Sequence, residues 1–290
     1  MKSLMKRNAK LLWILLIFAK WFFPWGLLLG ETTEKPHAKA QLMLSHSALI
    51  PGKSFTAAIR LEIERGWHLY WVNPGDSGLA TSIRWHLPDG FTPGEIEWPY
   101  PVRFQSGESV NFGYKKEVTL LVEIDTPSQI GEGSTLPIQA EVQWLACKDL
   151  CVPGKARVQQ ELRFQTKAST PSPRYKTLER ARNLMPKRLG DWDVQARLKG
   201  STLELSLQAA NPQRIKSIQT FEFFPLDEGL LDLSKAPSIS RLNDQLNMVL
   251  PRNLKSSTSP KTLRGVLVSP KGWDPKGHVR AMWVDVELRT

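Results

Sequence analysis

The stretch Ile138-Gln139-Ala140-Glu141-Val142-Gln143-Trp144 alternates apolar and polar side chains and runs into Cys147-Lys148-Asp149-Leu150-Cys151, which holds both cysteines of the 290-residue chain. A period of two marks a half-buried strand. The same period recurs in Phe55, Ala57, Ile59, Leu61 and Ile63, in Val118, Leu120, Val122 and Ile124, and in Val158, Leu162 and Phe164. Turn chemistry separates these runs at Pro51-Gly52, Asn73-Pro74-Gly75-Asp76, Pro88-Asp89-Gly90 and Gly131-Glu132-Gly133. Short strands at this spacing, without long helical patterns between them, predict an all-β chain of immunoglobulin-like β-sandwich type.

The first such domain is expected over residues 41–166. Residues 167–190 interrupt it with Ser169-Thr170-Pro171-Ser172-Pro173, which suits a linker rather than a sheet. Tyr175, Leu178, Ala181 and Leu184 then fall at helical spacing before Pro186, predicting one short amphipathic helix, solvated and packed between two domains. Strands resume at Trp192 with Leu203, Leu205 and Leu207, then Val266 and Val268, then Val284, Val286 and Leu288. Residues 191–290 are therefore read as a second β-sandwich.

Residues 1–30 hold Lys2, Lys6, Arg7, Lys10 and Lys20 with no acid, and an apolar run from Leu11 to Leu29. That pattern predicts a signal peptide, with an uncleaved N-terminal anchor as the alternative. Either way the rest of the chain is expected outside the cytoplasm, in the periplasm, with membrane contact only through this segment or a partner. The net charge of +11 is concentrated there and in residues 167–190, which carry seven basic side chains against Glu179 alone. The remainder is neutral and lacks a basic stripe with interleaved aromatics, so nucleic acid is not an expected partner.

Familiar enzyme motifs are missing: no P-loop, dinucleotide fingerprint, Gly-x-Ser-x-Gly elbow or His-Glu-x-x-His occurs. Histidines at 37, 46, 68, 86 and 278 stand alone, and a lone histidine is usually a packed residue. The cysteine pair remains. In a continuous strand residues four apart lie about 13 Å from each other, whereas a disulfide needs Cα atoms within about 4.4–6.8 Å, so a bonded pair requires the chain to fold back at Lys148-Asp149-Leu150. Three readings are open on spacing alone: a structural staple, an exchanging disulfide, or a pair of soft ligands for Cu(I). As a zinc site the pair is incomplete, since no histidines accompany it, and no metal site is assigned. A five-residue loop gains only about 2 kcal/mol in the chain-entropy model, which makes a weak staple.

An ordered set of segments resembles the N-terminal periplasmic domain of the thiol:disulfide interchange protein DsbD, particularly its ScsB-type version. The set comprises Gly66-Trp67-His68-Leu69-Tyr70-Trp71-Val72-Asn73-Pro74-Gly75-Asp76-Ser77-Gly78, Trp85-His86-Leu87-Pro88-Asp89-Gly90, Glu97-Trp98-Pro99, Asn111-Phe112-Gly113-Tyr114 and Trp144 through Pro153. The resemblance covers residues 42–164 strongly and extends weakly to Phe221-Glu222-Phe223-Phe224-Pro225 and Gly265-Val266-Leu267-Val268. It implies a redox relay in which Cys151 attacks and Cys147 resolves, with no organic cofactor. The implied partners are a membrane thiol-disulfide reductase of DsbD or CcdA type and thioredoxin-like periplasmic proteins, in cytochrome c biogenesis or copper tolerance. Phe112, with Tyr114 beside it, falls where the family carries an aromatic cap over the disulfide, and Trp67, Tyr70 and Trp71 are candidates for a docking surface. Val110 and Asn111 stand where DsbD has acids, so a proton-handling role is not carried over. The membrane helices and thioredoxin domain of the full-length family proteins have no counterpart in this sequence. A separate membrane reductase is therefore the expected electron source, and a non-catalytic immunoglobulin-like binding module and a copper-binding protein are the alternatives.

Overall fold

Alternating burial organises the structure, a computed structural model that describes residues 36–242, 244–256 and 260–289. The expected signal peptide or anchor lies outside the described residues. Twelve strands come first: β1 (Ala38–Leu44), β2 (His46–Leu49), β3 (Phe55–Ile63), β4 (His68–Gly75), β5 (Ser82–His86), β6 (Thr92–Pro93), β7 (Val102–Ser106), β8 (Ser109–Lys115), β9 (Glu117–Asp125), β10 (Thr135–Cys147), β11 (Cys151–Phe164) and β12 (Thr170–Pro171). They form a four-stranded sheet, β1-β3-β9-β6, and an eight-stranded sheet, β12-β2-β11-β10-β4-β8-β7, with β5 attached to β10.

Register explains the sandwich. Phe55, Ala57, Ile59 and Leu61 of β3 stand opposite Ile124, Val122, Leu120 and Val118 of β9, so one face of the smaller sheet is wholly apolar. On the larger sheet Ile138, Ala140, Val142 and Trp144 of β10 are buried in the same core. Burying one face of each sheet against the other gives the aligned layers of an immunoglobulin-like body.

The proline-rich stretch after β11 departs from expectation. Thr170 and Pro171 pair with Ala48 and His46 of β2 as an edge strand with a register break, a position where the missing proline N–H costs no ladder bond. Helix α1 (Tyr175–Arg182) then forms where the spacing predicts it. Leu178 and Ala181, with Met185 just beyond, pack on Met43, Ala58 and Leu121, the outer row of the smaller sheet.

The second body contains β13 (Trp192–Lys199), β14 (Thr202–Ala209), α2 (Gln213–Ser217), β15 (Glu222–Pro225), β16 (Ser238–Leu242), β17 (Gln245–Pro251), β18 (Thr262–Val268) and β19 (Ala281–Arg289). Its strand order is β15-β18-β19-β13-β14-β17-β16. The β13–β19 link is parallel and confined to Ala196↔Leu288 and Arg197↔Arg289. Two antiparallel ladders hinged there supply Leu205, Leu207, Met248, Val266 and Val284 to one core.

The two bodies share a contact. Phe224 of β15 meets Trp71 and Phe112 edge to face, at centroid distances of 6.2 and 5.1 Å. Asn73 Nδ2 donates to the Pro225 carbonyl at 2.8 Å, and Arg103 Nη2 to the Leu233 carbonyl at 2.6 Å.

Candidate functional site

Strands β10 and β11 pair without interruption from Thr135↔Arg163 to Cys147↔Cys151. Lys148-Asp149-Leu150 turn the hairpin, with the Lys148 N–H donating to the Leu150 carbonyl at 3.1 Å. The hairpin supplies the fold-back that the spacing demands: Cys147 and Cys151 are disulfide-bonded with Cα atoms 4.1 Å apart. The two cysteines differ in surroundings. Cys147 is only 2% exposed, while Cys151 is exposed. Even-numbered residues of β10 point into the core, so Cys147 belongs to the opposite, outer face.

That face is assembled from three further strands. Cys147 pairs with His68 of β4, and His68 and Tyr70 pair with Lys115 and Gly113 of β8. Directly opposed residues share a face. Tyr70 Oη stands 3.8 Å from Sγ of Cys151, and His68 Nε2 stands 3.3 Å from the same phenol oxygen. Phe104 of β7 packs on His68 with ring centroids 4.4 Å apart, and the Lys115 ammonium lies 5.0 Å from the Phe104 ring centre. Burial, reinforced by Lys115, pushes the His68 imidazole down to about 4, and burial also raises the Tyr70 phenol above its ordinary value. Both groups are therefore neutral around pH 7.

A loop covers this pair. Gly78 lies so close to Tyr70 that a Cβ would stand 2.3 Å from the ring, and its φ of 111° belongs to glycine. Asn111, fully buried, holds the loop by donating from Nδ2 to the carbonyls of Pro74 and Ser77. Asp76 accepts the Val110 N–H at 2.8 Å. Asn73, Pro74 and Gly75 thus close strand β4, where the sequence suggests a turn, and Asp76 opens the loop, an architectural role for the segment. Between the loop and the hairpin lies a groove of about 450 Å³ lined by Leu79, Ala80, Leu145 and Pro153 among others.

Several expected residues lie elsewhere. Phe112 and Tyr114 alternate with Gly113 and Lys115, so they project from the face of β8 opposite the disulfide. Phe112 is buried against Phe224, and the Tyr114 hydroxyl donates to the Pro99 carbonyl at 2.7 Å. The cap expected at these positions is corrected by strand parity: the aromatic ring beside the sulfur is Tyr70. Trp71 is fully buried on the inner face, and Tyr70, at 3% exposure, offers little surface. Trp67 is half-buried and stacks on His37 at 3.5 Å. A docking surface made from all three is therefore corrected as well. The exposed apolar side chains near the disulfide are Leu79 and Leu150, at 67% and 65%. Sequence reasoning missed His68, Leu79 and Leu150; the only available signal was that His68 and Tyr70 share parity on one strand. Among the described residues no group of three or more His, Cys, Asp or Glu side chains gathers as a metal site.

Residues 39–163 match the family model described as thiol:disulfide interchange protein DsbD, N-terminal. The N-terminal periplasmic domain of ScsB from Proteus mirabilis is similar in structure, with a TM-score of 0.60 at 17% identity, covering 87% of this chain and 92% of that one. At that identity the likeness shows the fold, and it extends over both β-bodies. The major pilin subunit BcpA of Bacillus cereus aligns at a TM-score of only 0.30 and 9% identity, over 86% of this chain and 66% of that one. No curated protein matches the chain.

Proposed function

With residues 39–163 forming a DsbD N-terminal-like domain, we propose that the chain is a periplasmic thiol–disulfide exchange protein. It relays electrons from a membrane reductase of DsbD or CcdA type to extracytoplasmic proteins through Cys147 and Cys151. The observation that carries this reading is the hairpin tip: the disulfide joins two residues already opposed in register, one a buried cysteine and the other an exposed one. A bond there constrains only five residues, about 2 kcal/mol of chain entropy. Access to one sulfur is what exchange requires.

The chemistry balances without an organic cofactor. A reductase thiolate attacks Sγ of Cys151, the Cys147–Cys151 bond breaks, and Cys147 leaves as a thiolate that takes a proton from solvent. The reductase's second thiol then attacks its partner sulfur in the mixed disulfide and releases Cys151. Two electrons and two protons have entered the pair. Toward a client the order reverses: the Cys151 thiolate attacks the client disulfide, and Cys147 displaces the client thiol by re-forming the bond. Leu79, Leu150 and the groove beside them are the apolar surface a thioredoxin-like partner meets on reaching Cys151.

Equilibration of the purified chain in graded thiol buffers, read by alkylation mass shift, tests this. A potential well above about −300 mV is expected for an exchanging pair, and a lower one marks a structural bridge.

A further inference from the structure

We propose that Tyr70 is a catalytic hydrogen-bond donor of the exchange site, its hydroxyl donating to Sγ of Cys151 when that sulfur is a thiolate, and that His68 is the positioning residue behind it. The inference rests on the exchange reading above and assigns it two further residues.

Tyr70 Oη lies 3.8 Å from Sγ of Cys151 and 3.3 Å from His68 Nε2. A phenol has a single proton. If that proton points at the sulfur, the oxygen is left as an acceptor, and His68 in its Nε2–H tautomer fills it. The result is a directed chain, His68 to Tyr70 to Cys151, in which each member donates to the next. A thiolate is the strongest acceptor on which this order can end.

The surroundings keep the two donors neutral and dry. His68 and Tyr70 are 5% and 3% exposed, beneath Phe104 and the Gly78 loop. A buried donor is not replaced by water and acts in a lower dielectric than one at the surface. The lowered imidazole and raised phenol keep both groups in their donating neutral forms through the pH range in which thiols titrate. The other charges facing the pair are few. Lys115 of β8 reaches over Phe104, and Lys148 of the hairpin tip lies 4.0 Å from the Asp149 carboxylate. Strand β8 otherwise presents Ser109, Asn111 and Gly113 on this face and no carboxylate. Hydrogen bonds to an ionised acceptor are roughly twice as strong as those to a neutral one, so the donor favours thiolate over thiol. Cys151 carries that charge twice in the cycle: as the attacking thiolate toward a client, and as the group released when the reductase resolves the mixed disulfide.

The test is the pH profile of alkylation of the reduced full chain by iodoacetamide, with Cys151 and Cys147 modification resolved by mass. Tyr70→Phe keeps the ring and removes the hydroxyl. Losing one charged hydrogen bond is expected to reduce the thiolate fraction about tenfold, moving the Cys151 midpoint up by about one pH unit. His68→Phe, which leaves the hydroxyl but removes its support, is expected to move it the same way by less, and it tests the chain if Tyr70→Phe does not fold. An unmoved Cys151 midpoint in the folded variant overturns the proposal. Reduction with a phosphine lets the profile be read whatever the potential. A pair that resists thiol buffers therefore defeats the exchange reading, and the catalytic role with it, while an exchanging pair with an unmoved midpoint defeats only the role of Tyr70.

Discussion

Gly78 sits against the Tyr70 ring at positive φ, so Gly78→Ala both strains the backbone and pushes on the aromatic beside the disulfide. A cost of about 1–3 kcal/mol is expected in denaturant unfolding, with faster reduction by a small thiol as the loop lifts. Two titrating side chains give stability a pH dependence in adjoining windows. Glu141 accepts from Lys155 and Gln143, and these contacts, with Arg157 nearby, hold its carboxyl down to about 2 from an ordinary 4.5. Between those values the unfolded chain binds a proton that the folded one does not, so this contribution is complete above about 4.5 and is lost as pH falls toward 2. His68 behaves as a base kept neutral: burial lowers it from 6.5 to about 4, so stability falls as pH drops through that interval and levels off below it. Melting curves across pH are expected to lose the lower window in Glu141→Gln and the upper one in His68→Phe. The cysteine pair was legible in the sequence because its spacing constrains geometry. His68 was not, because a single histidine carries no period, and only the β4–β10 pairing brings it to Cys147.

At the scale of elements, the hairpin and the helix α1 make opposite demands. The hairpin is held by a long continuous ladder and its disulfide lies at the very end. Replacing both cysteines with serine is therefore expected to leave the fold intact, cost at most about 2 kcal/mol in denaturant unfolding, and abolish exchange. Helix α1 depends on its footing. Leu178 is 2% exposed against Met43, Ala58 and Leu121, and Leu178→Ala is expected to cost about 2–5 kcal/mol while leaving the exchange rate unchanged. The strands of this body were legible through their inward residues, and the helix through the spacing of Tyr175, Leu178 and Ala181. What the helix covers was not. Met43, Ala58 and Leu121 form one row across β1, β3 and β9 on the face that alternation assigns to solvent, so only the register that aligns them reveals a second buried face.

Over the whole molecule, the resumption of strands at Trp192 made a second β-body legible, but its contact with the first was hidden by the reading of Phe112 as a disulfide cap. Parity turns Phe112 inward, where it and Trp71 are covered by Phe224 of the second body. The larger sheet has more strands than the four-stranded sheet opposite, and Phe224 closes part of the inner face this leaves. Asn73 and Arg103 add polar contacts at the same junction. Apolar packing that continues from one body into the next couples their unfolding, so a single calorimetric transition is expected for the intact chain. Phe224→Ala removes the shared ring at a cost of about 3–5 kcal/mol, and it is expected to separate that transition into two. The reduction potential is expected to stay unchanged, because Phe112 and Trp71 lie on the face of β8 and β4 opposite the disulfide. One undivided transition in the variant, with an unaltered midpoint, would mean that the two bodies touch at Phe224 without depending on it.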